Sequence, residues 1–247
     1  MTIKAKTGSH SRILSVGSYR PKRLVMNSEI VDRIESNDEW IQQRTGIQSR
    51  RFADESESVV DMACWAAESA LKRAGITIAD VDTVIVATIT FPHQAPSAAT
   101  AIIARLGNPA AAAFDIGAAC AGFSYAVAMA HDFVFAGTSK KVLVIGVEKI
   151  SDFTDPDDRA TAFIFADGAG AVVIGPSQDI GIGPTVWGAS AETREAIVLE
   201  PSFLEFKKNP GNADIGWPNI IQQGQTVFRW AVYEIAPIAL RALEAAG

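Results

Sequence analysis

Short runs of apolar and β-branched residues alternate along the chain with segments whose apolar residues recur every three or four positions. The runs are typical of buried strands, and the three-to-four spacing is typical of helices that bury one face. The predicted strands are 13–17, 83–89, 112–116, 142–147 and 169–175, and the predicted helices are 38–44, 58–74, 97–106, 121–136 and 227–246. This alternation predicts an α/β fold with a mostly parallel sheet.

Residues with known cap and turn preferences refine these boundaries. Ser36 and Glu39 have the spacing of a capping box, which predicts that the first helix begins just after Ser36. Residues 190–217 show neither period and are predicted to be irregular. Pro237 lies inside the last helical segment and lacks an N–H group, so we expect it to kink or break that helix.

Composition and charge narrow the range of partners. The chain has 247 residues, enough for one large domain or two small ones, and its 22 basic and 28 acidic residues give a net charge of −6. Negative charge disfavours binding to nucleic acid and to anionic membranes. The uncharged stretch 116–130 is too short to span a bilayer, and residues 1–10 lack the apolar core of a signal peptide. The sequence therefore predicts a cytoplasmic protein with no nucleic-acid or membrane partner.

Cysteine and histidine are too few and too scattered to predict a metal site. The chain has two cysteines, Cys64 and Cys120, and no metal-ligand spacing joins them to its three histidines. Cys64 lies on the apolar stripe of helix 58–74 and is predicted to be structural. Cys120 stands between strand 112–116 and helix 121–136, where the N–H groups of a helix start stabilise a thiolate and can hold an oxyanion. We weigh a nucleophile there equally against a small cysteine buried in an alanine-rich core.

Some polar residues fit either a binding role or a structural one. Trp40 is followed by three basic residues, Arg44, Arg50 and Arg51. An aromatic and basic patch of this kind can stack on a nucleotide and pair with its phosphates, but a solvated helix face has the same pattern. Arg159 stands among aspartates and is interpreted as a partner in surface ion pairs.

The remaining candidates for acid–base or cofactor chemistry favour structural roles. His93 follows the end of strand 83–89, but no carboxylate is placed to orient it, so it is interpreted as a solvent-exposed loop residue. Cap or turn roles are predicted for three aspartates, Asp61, Asp115 and Asp167. The segment 167–170 lacks the rest of a dinucleotide-binding fingerprint, so its glycines are predicted to let strands approach closely.

Several motifs together resemble the β-ketoacyl-acyl-carrier-protein synthase III family, the initiating condensing enzymes of type II fatty acid synthesis within the thiolase superfamily. The resemblance extends over nearly the whole chain. The motifs that carry it are 38–41 (DEWI), 44–47 (RTGI) with Arg50 and Arg51, 118–123 (AACAGF), 158–159 (DR), 165–170 (FADGAG) and 224–231 (GQTVFRWA). The cysteine motif is shared with related condensing enzymes, whereas the block around Trp40 and Arg44 is more particular to this family.

This resemblance implies a thiolase-like fold, with a complete βαβαβαββ N-terminal half in residues 1–176 and an incomplete C-terminal half in residues 177–247. It also implies acyltransferase activity, in which Cys120 takes an acyl group from acyl-CoA as a thioester and releases CoA. Malonyl-ACP then loses CO2, and its carbanion attacks the thioester to give a 3-oxoacyl-ACP. Acyl-CoA and the acyl carrier protein are substrates in this scheme, so no cofactor and no metal are expected.

By the same resemblance, a set of side chains would bind the CoA-derived part of the substrates. Trp40 and Arg159 would sandwich the adenine, and Arg44 would reach towards the phosphates. The pantetheine tunnel would be formed by Gln222, Gln223, Gly224 and Phe228, and the acyl pocket by Ala95 and Phe165. The family is dimeric, so the strand before Cys120 is expected to pair with its symmetry mate and the Ala95 loop to reach the partner's acyl channel.

Members of the family continue well past Gly247, and that region supplies their catalytic histidine, catalytic asparagine and a glycine amide of the oxyanion hole. We therefore expect the 247-residue chain alone to fold poorly and not to complete the condensation. Two alternatives stay open: a relative that primes polyketide synthesis with the same cysteine, and a non-catalytic partner subunit.

Overall fold

Strands and helices alternate along most of the chain in the computed structural model, which describes residues 10–212 and 215–247. The strands are β1 (His10–Tyr19), β2 (Arg23–Met26), β3 (Ser49–Phe52), β4 (Thr83–Ala87), β5 (Ala112–Ile116), β6 (Val142–Glu148), β7 (Gly168–Ser177), β8 (Ile197–Glu200) and β9 (Asn219–Gln222). The helices are α1 (Asp38–Thr45), α2 (Val59–Ala74), α3 (Ala98–Leu106), α4 (Gly122–Phe135), α5 (Phe203–Lys208) and α6 (Gly224–Ala246). None of these helices is long and apolar enough to cross a membrane.

Two groups of segments each form a compact unit. Over the described residues, the first unit contains 10–21, Ala53–Lys149 and Gly168–Thr185, and the second contains Lys22–Phe52, Ile150–Asp167 and Val186–Gly247. Each unit therefore combines segments that are distant in sequence. The division of the chain at residue 176 groups the segments differently, and it stays a prediction.

The first unit contains a sheet of five strands in the order β1-β7-β6-β4-β5. Along the chain its elements follow as β1, α2, β4, α3, β5, α4, β6 and β7, which is the expected βαβαβαββ order. β4 runs parallel to β5 and β6, whereas β7 runs antiparallel to β6 and to β1. β1 therefore runs in the same direction as β4, β5 and β6, and β7 alone of these five strands is reversed. This agrees with the expectation of a mostly parallel sheet and adds one antiparallel strand to it. The alternation of elements indicates crossovers but not the direction of β7, which has no helix of this unit between it and β6.

Helices cover both faces of this sheet. Along β4, Val84 and Val86 pack in the core with α2 and α3, whereas Ile85 between them packs with α4. Side chains of a strand alternate between faces, so one buried strand supplies both cores. Cys64 on α2 belongs to the first core and is 1% exposed, which confirms its predicted place on a packed helix stripe.

β1 and α2 approach so closely that a glycine is needed between them. A Cβ on Gly17 would lie 2.2 Å from the carbonyl oxygen of Ala66 and 2.3 Å from the nitrogen of Ala70. A Cβ on Gly170, by contrast, would meet no atom within 4 Å, and one on Gly168 would lie 3.3 Å from the Tyr19 carbonyl oxygen. The predicted close approach is therefore wrong for Gly170, because β7 is not crowded at that position.

The second unit is built around shorter elements. β2 pairs with β3 and β8 pairs with β9, each pair antiparallel. α1 packs on β2 and on residues 162–163 through a core of Val25, Ile30, Ile34, Ile41, Ala162 and Phe163. α1 begins after Asn37, whose side chain accepts a 2.8 Å hydrogen bond from the Trp40 N–H group, so the predicted capping box at Ser36 is wrong by one residue.

The C-terminal part of this unit is more regular than the sequence pattern predicts. β8 and α5 lie within residues 190–217, which were expected to be irregular. Ser202 and Glu205 form a capping box at the start of α5, and this short signal defines a helix that lacks an apolar period. α6 continues through Pro237, so this residue does not break the helix.

Candidate active site

Cys120 lies in a short turn between the first unit's β5 and α4. The turn Ala119–Ala121 is a 3-10 helix, and α4 begins at Gly122. A Cβ on Gly122 would lie 3.0 Å from the Cβ of Ala87, so the start of α4 packs tightly against the end of β4. Cys120 is exposed, in contrast to the buried Cys64. The alternative of a cysteine buried in an alanine-rich core is therefore wrong for Cys120.

Ala119, the residue before the cysteine, has a left-handed backbone. Its φ is 44°, a value that L-residues with a side chain adopt rarely. α4 begins two residues after Cys120, and the N–H groups of Ala121 and Gly122 donate to the carbonyl oxygens of Ala118 and Ala119 within the 3-10 turn. The turn therefore presents an accessible thiol at the N-terminal end of α4, where the helix dipole favours negative charge.

The loop after β4 is held by a cluster that the sequence analysis missed. The Glu148 carboxylate at the end of β6 accepts hydrogen bonds from the Thr90 hydroxyl at 2.6 Å, the Ile89 N–H group at 3.0 Å and the Thr88 hydroxyl at 3.2 Å. Burial raises the pKa of the Glu148 carboxyl, and these hydrogen bonds oppose part of the increase. The signal in the sequence is a pair of threonines two residues apart within an apolar run. Because Thr88 and Ile89 bind Glu148, β4 ends at Ala87 and not at the predicted residue 89.

The three aspartates have the structural partners that were predicted for them. Asp115 accepts bonds from the N–H groups of Ala98 and Ala99 at the start of α3, at 2.7 and 2.8 Å. Asp61 forms a capping box with Ser58 at the start of α2 and an ion pair with Arg105, and Asp167 accepts bonds from both the N–H and the hydroxyl group of Ser151. Their carboxylates therefore serve the fold.

His93 and Ala95 lie in the loop between β4 and α3, and both are exposed. The His93 ring makes an edge contact with Phe91, with ring centroids 5.4 Å apart. The interpretation of His93 as a solvent-exposed loop residue is confirmed. Ala95 lies in the same unit as Cys120.

The second unit brings Trp40 and two arginines together. The Cζ atom of Arg44, one turn further along α1, lies 4.8 Å from the centroid of the Trp40 ring, and that of Arg159 lies 5.2 Å from it. Both distances lie within the range of cation–π attraction. The Phe163 ring meets Trp40 edge-on at 5.5 Å. We call Trp40, Arg44 and Arg159 the aromatic clamp.

Arg159 is fixed by the main chain. Its Nη1 atom donates a 3.0 Å hydrogen bond to the carbonyl oxygen of Glu35. Glu35 itself has a φ of 47°, another left-handed backbone. Asp157, one of the aspartates near Arg159, forms its ion pair with Arg33 at 2.7 Å. The position of Arg159 is therefore explained by its bond to the main chain and not by a surface ion pair.

Arg50 and Arg51, by contrast, do not belong to a nucleotide-binding patch. Arg50 is 5% exposed, and its Nη2 atom donates to Asn27 at 2.5 Å and to the Phe163 carbonyl at 3.2 Å. Burial lowers the pKa of its guanidinium. Arg51 donates to the Lys22 carbonyl at 3.0 Å. The patch alternative is therefore wrong for Arg50, whose guanidinium is buried among polar partners, and Arg51 is bonded to the main chain.

A cavity of about 530 Å³ in the second unit lies between residues 155–160, which include Arg159, and β9. Asp158 and Ala160, the neighbours of Arg159, line it together with Trp217 and Gln222. Its walls are part polar and part apolar. Of the predicted tunnel residues, Gln222 therefore shares a cavity with the segment that carries Arg159.

The other predicted tunnel residues lie at the start of α6, and the predicted pocket residue Phe165 packs near β9. Gln223 donates through its side chain to the Glu195 carbonyl at 3.1 Å, and Gly224 begins α6. Phe228, one turn into α6, is 71% exposed. Phe165 is partly buried against a cluster of Ile150, Phe153 and Ile220.

The chain is similar to one family of condensing enzymes. A family model described as 3-oxoacyl-[acyl-carrier-protein] synthase III matches residues 114–191, which include Cys120. The β-ketoacyl-[acyl-carrier-protein] synthase III of Streptomyces glaucescens is 49% identical over 243 residues, which is 98% of this chain and 72% of that protein. The enzyme of the same name from Mycobacteroides abscessus is 47% identical over 234 residues, 95% of this chain and 68% of that protein.

Solved structures show the same similarity. The priming β-ketosynthase of the R1128 polyketide biosynthetic pathway has a TM-score of 0.96 and 41% identity, covering 100% of this chain and 73% of that one. The 3-oxoacyl-[acyl-carrier-protein] synthase III of Aquifex aeolicus VF5 has a TM-score of 0.85 and 37% identity, covering 96% of this chain and 72% of that one. The TM-scores show that these structures share the fold of this chain.

Proposed function

Because the chain belongs to the β-ketoacyl-acyl-carrier-protein synthase III family and has the thiolase-like fold, we propose that it uses Cys120 to start the synthesis of a fatty acyl chain. An acyl-CoA acylates Cys120, and the bound acyl group is then available for condensation with malonyl-ACP to give a 3-oxoacyl-ACP, a step for which the family resemblance also requires a histidine and an asparagine from the region past Gly247. The observation that carries this proposal is an exposed cysteine in the turn directly before α4.

The first half-reaction transfers the acyl group. The Cys120 thiolate attacks the thioester carbonyl of acyl-CoA, so a new C–S bond forms and the C–S bond to CoA breaks. CoA leaves as a thiolate and takes up a proton. The N–H groups at the start of α4 favour both the attacking thiolate and the oxyanion that forms on the carbonyl oxygen.

The second half-reaction forms the new carbon–carbon bond. Malonyl-ACP loses CO2, and the resulting carbanion attacks the carbonyl carbon of the Cys120 thioester. The C–S bond to Cys120 breaks, and the product leaves as 3-oxoacyl-ACP. Both substrates carry a pantetheine arm, so one tunnel can admit them in turn.

In this proposal the aromatic clamp binds the nucleotide end of CoA. Trp40 and Arg159 hold the adenine, and Arg44 pairs with phosphate oxygens. The distances of 4.8 and 5.2 Å between the guanidinium groups and the Trp40 ring support it, because the three side chains already lie together.

The remaining predicted residues bind the pantetheine arm and the acyl group in this proposal. The tunnel would be formed by Gln222, Gln223, Gly224 and Phe228, and the acyl pocket by Ala95 and Phe165. The cavity that Gln222 shares with the neighbours of Arg159 supports the tunnel. We also keep the division into thiolase-like halves 1–176 and 177–247 as a proposal.

The proposed assembly is a homodimer through β5. This strand lies at an edge of the sheet, and the Ala112 N–H group and the Ile116 carbonyl both bond towards β4. Successive residues of a strand alternate in direction, so the N–H groups of Ala113 and Asp115 face the open edge, where a second β5 can pair. Free thiols at Cys64 and Cys120 suit a reducing compartment, in support of a cytoplasmic location.

Priming of a polyketide is a second candidate for the same chemistry. The TM-score of 0.96 to the R1128 priming ketosynthase favours it. Both candidates acylate Cys120 from an acyl-CoA and differ in the carrier protein that accepts the product. Product analysis with malonyl groups on a fatty-acid carrier and on a polyketide carrier distinguishes them.

Acylation of Cys120 is the first test. Wild-type protein incubated with acetyl-CoA is expected to gain the mass of one acetyl group, located on Cys120 by peptide mapping. Cys120→Ala is expected to gain none, and the matched control Cys64→Ala is expected to react like the wild type. An adduct that persists in folded Cys120→Ala, or no adduct with acetyl-, isobutyryl- or longer acyl-CoA, would refute the proposal.

A further inference from the structure

We propose that Glu148 is a positioning residue for acyl transfer to Cys120, acting through the loop that follows β4. This inference rests on the proposed function, because it takes Cys120 as the nucleophile. Glu148 lies in the first unit, like Cys120, and the contacts that carry the argument are all within that unit.

Three neighbouring parallel strands bring Glu148 and the Cys120 turn to the same end of the sheet, where these strands terminate. β5, β4 and β6 are adjacent and parallel, and Ala87 at the end of β4 pairs with Ile116 on one side and Gly146 on the other. The chain continues from Ile116 to Cys120 and from Gly146 to Glu148. The residues after Ala87 therefore lie between the carboxylate and the nucleophile turn.

The carboxylate fixes these residues through three donors. The Thr90 hydroxyl, the Thr88 hydroxyl and the Ile89 N–H group all bond to it, at 2.6, 3.2 and 3.0 Å. The Thr90 oxygen also accepts a 2.9 Å bond from the Lys149 N–H group, which closes the network onto β6. Thr88 and Thr90 are 8% and 2% exposed. A carboxylate withdrawn from water is tolerated when such donors surround it, so the network selects one conformation of the loop.

The last residue of β4 and the first residue of this loop contact the two ends of the turn that carries the cysteine. The Thr88 N–H group donates to the Ile116 carbonyl at 3.4 Å, before the turn. Ala87 packs closely against Gly122, which follows the turn. A Cβ on Gly122 would lie 3.0 Å from the Cβ of Ala87. A shift at residues 87–88 would therefore move the Cys120 thiol relative to the helix N–H groups, and acyl transfer is sensitive to displacements of this kind.

The test is the rate at which acetyl-CoA acylates Cys120 in single-turnover experiments. Glu148→Gln replaces one acceptor oxygen by an NH2 group, and we expect the maximal rate to fall about tenfold to a hundredfold. The acetyl-CoA concentration for half-maximal rate is expected to change less than about twofold, since the clamp residues are untouched. A merely structural loss would instead reduce the amount of reactive protein without slowing the protein that remains folded.

The Thr90 hydroxyl allows a second, smaller change. Thr90→Val keeps the shape but loses the hydroxyl, so it is expected to slow acylation in the same way as Glu148→Gln. Thr90→Ser keeps the hydroxyl and is expected to recover most of the wild-type rate. This pair keeps the test decisive even if Glu148→Gln does not fold.

Glu57→Gln is the matched control for neutralising a buried carboxylate. Glu57 is 0% exposed and accepts bonds from the Tyr19 hydroxyl at 2.5 Å and the Asp54 N–H group at 3.0 Å, before α2. Its loss is expected to lower the melting temperature but not the acylation rate of folded protein. Wild-type rates in Glu148→Gln and Thr90→Val, or equal slowing in Glu57→Gln, would overturn the inference. A wild type that is never acylated would overturn the proposed function, and this inference with it.

Discussion

At the scale of single residues, environment separates side chains of the same type. Cys64 is 1% exposed, and burial raises the pKa of its thiol to about 11, whereas Cys120 is exposed. Position in the sequence indicated the burial of Cys64, because this residue continues an apolar stripe. It left the exposure of Cys120 open, because a nucleophile and a buried cysteine were weighed equally at the strand–helix junction. Sequence position did not indicate the burial of Arg50, since its partners Asn27 and Phe163 come from distant segments.

Tyr19 gives a pH-dependent prediction at this scale. Burial, and then its hydrogen bond to Glu57, raise the pKa of Tyr19 from 10.0 to about 12. A raised pKa means that the folded state retains the proton longer than the unfolded chain, so this stabilisation is complete below pH 10.0 and is lost as pH rises to about 12. We expect the difference in free energy of unfolding between wild type and Tyr19→Phe to shrink over that range, measured by urea titration. A difference that stays constant with pH would contradict this expectation.

At the scale of elements, close packing between β1 and α2 depends on a residue without a side chain. Gly17→Ala would place a methyl group 2.2 Å from the Ala66 carbonyl oxygen, so the strand and helix must separate. We expect a loss of about 3 kcal/mol in the free energy of unfolding. Gly170→Ala, at the position paired with Ser18 on the neighbouring strand, is expected to change it by less than about 0.5 kcal/mol. Chemical denaturation of both variants checks this, and similar losses would contradict it.

Element prediction succeeded where a buried apolar run was long enough to show a period. The strands and helices of the first unit appear in the predicted order because their apolar positions face two cores. β2, β3, β8 and β9 have four residues each, too few for a period, and each is fixed by a partner strand from another part of the chain. The capping box of α5 is a detectable signal, and it was missed because no apolar stripe accompanies it.

At the scale of the whole molecule, the open edge of β5 makes dimerisation testable. Ala113→Pro removes an N–H group that faces this edge and leaves the bonds towards β4 in place. Because the dimer has two-fold symmetry, the substitution removes two hydrogen bonds between the paired β5 strands. We therefore expect the dimer dissociation constant to rise about tenfold or more. Ala113→Ser retains the N–H group and is expected to behave like the wild type in sedimentation velocity. Unchanged dimerisation of folded Ala113→Pro would place the interface elsewhere.

The direction of β7 and the grouping of segments into units could not be predicted from the sequence pattern. Whether β7 runs parallel or antiparallel depends on where the chain travels between β6 and β7, and residues 150–167 there belong to the second unit. Likewise, Arg159 meets Trp40 only because residues 158–163 fold back onto α1. The family motifs indicated this meeting, but hydrophobic periodicity did not.

The spacing of the aromatic clamp has a consequence for nucleotide affinity. A planar ring needs about 3.5 Å to each neighbour, so adenine between Trp40 and Arg159 requires about 7 Å. Arg159 lies 5.2 Å from the Trp40 ring and is bonded to the Glu35 carbonyl. If the clamp binds adenine as proposed, Arg159 occupies the binding surface in the free protein and adenine has to displace it. The measured affinity for CoA would then be the intrinsic affinity multiplied by the fraction of molecules in which Arg159 has moved aside.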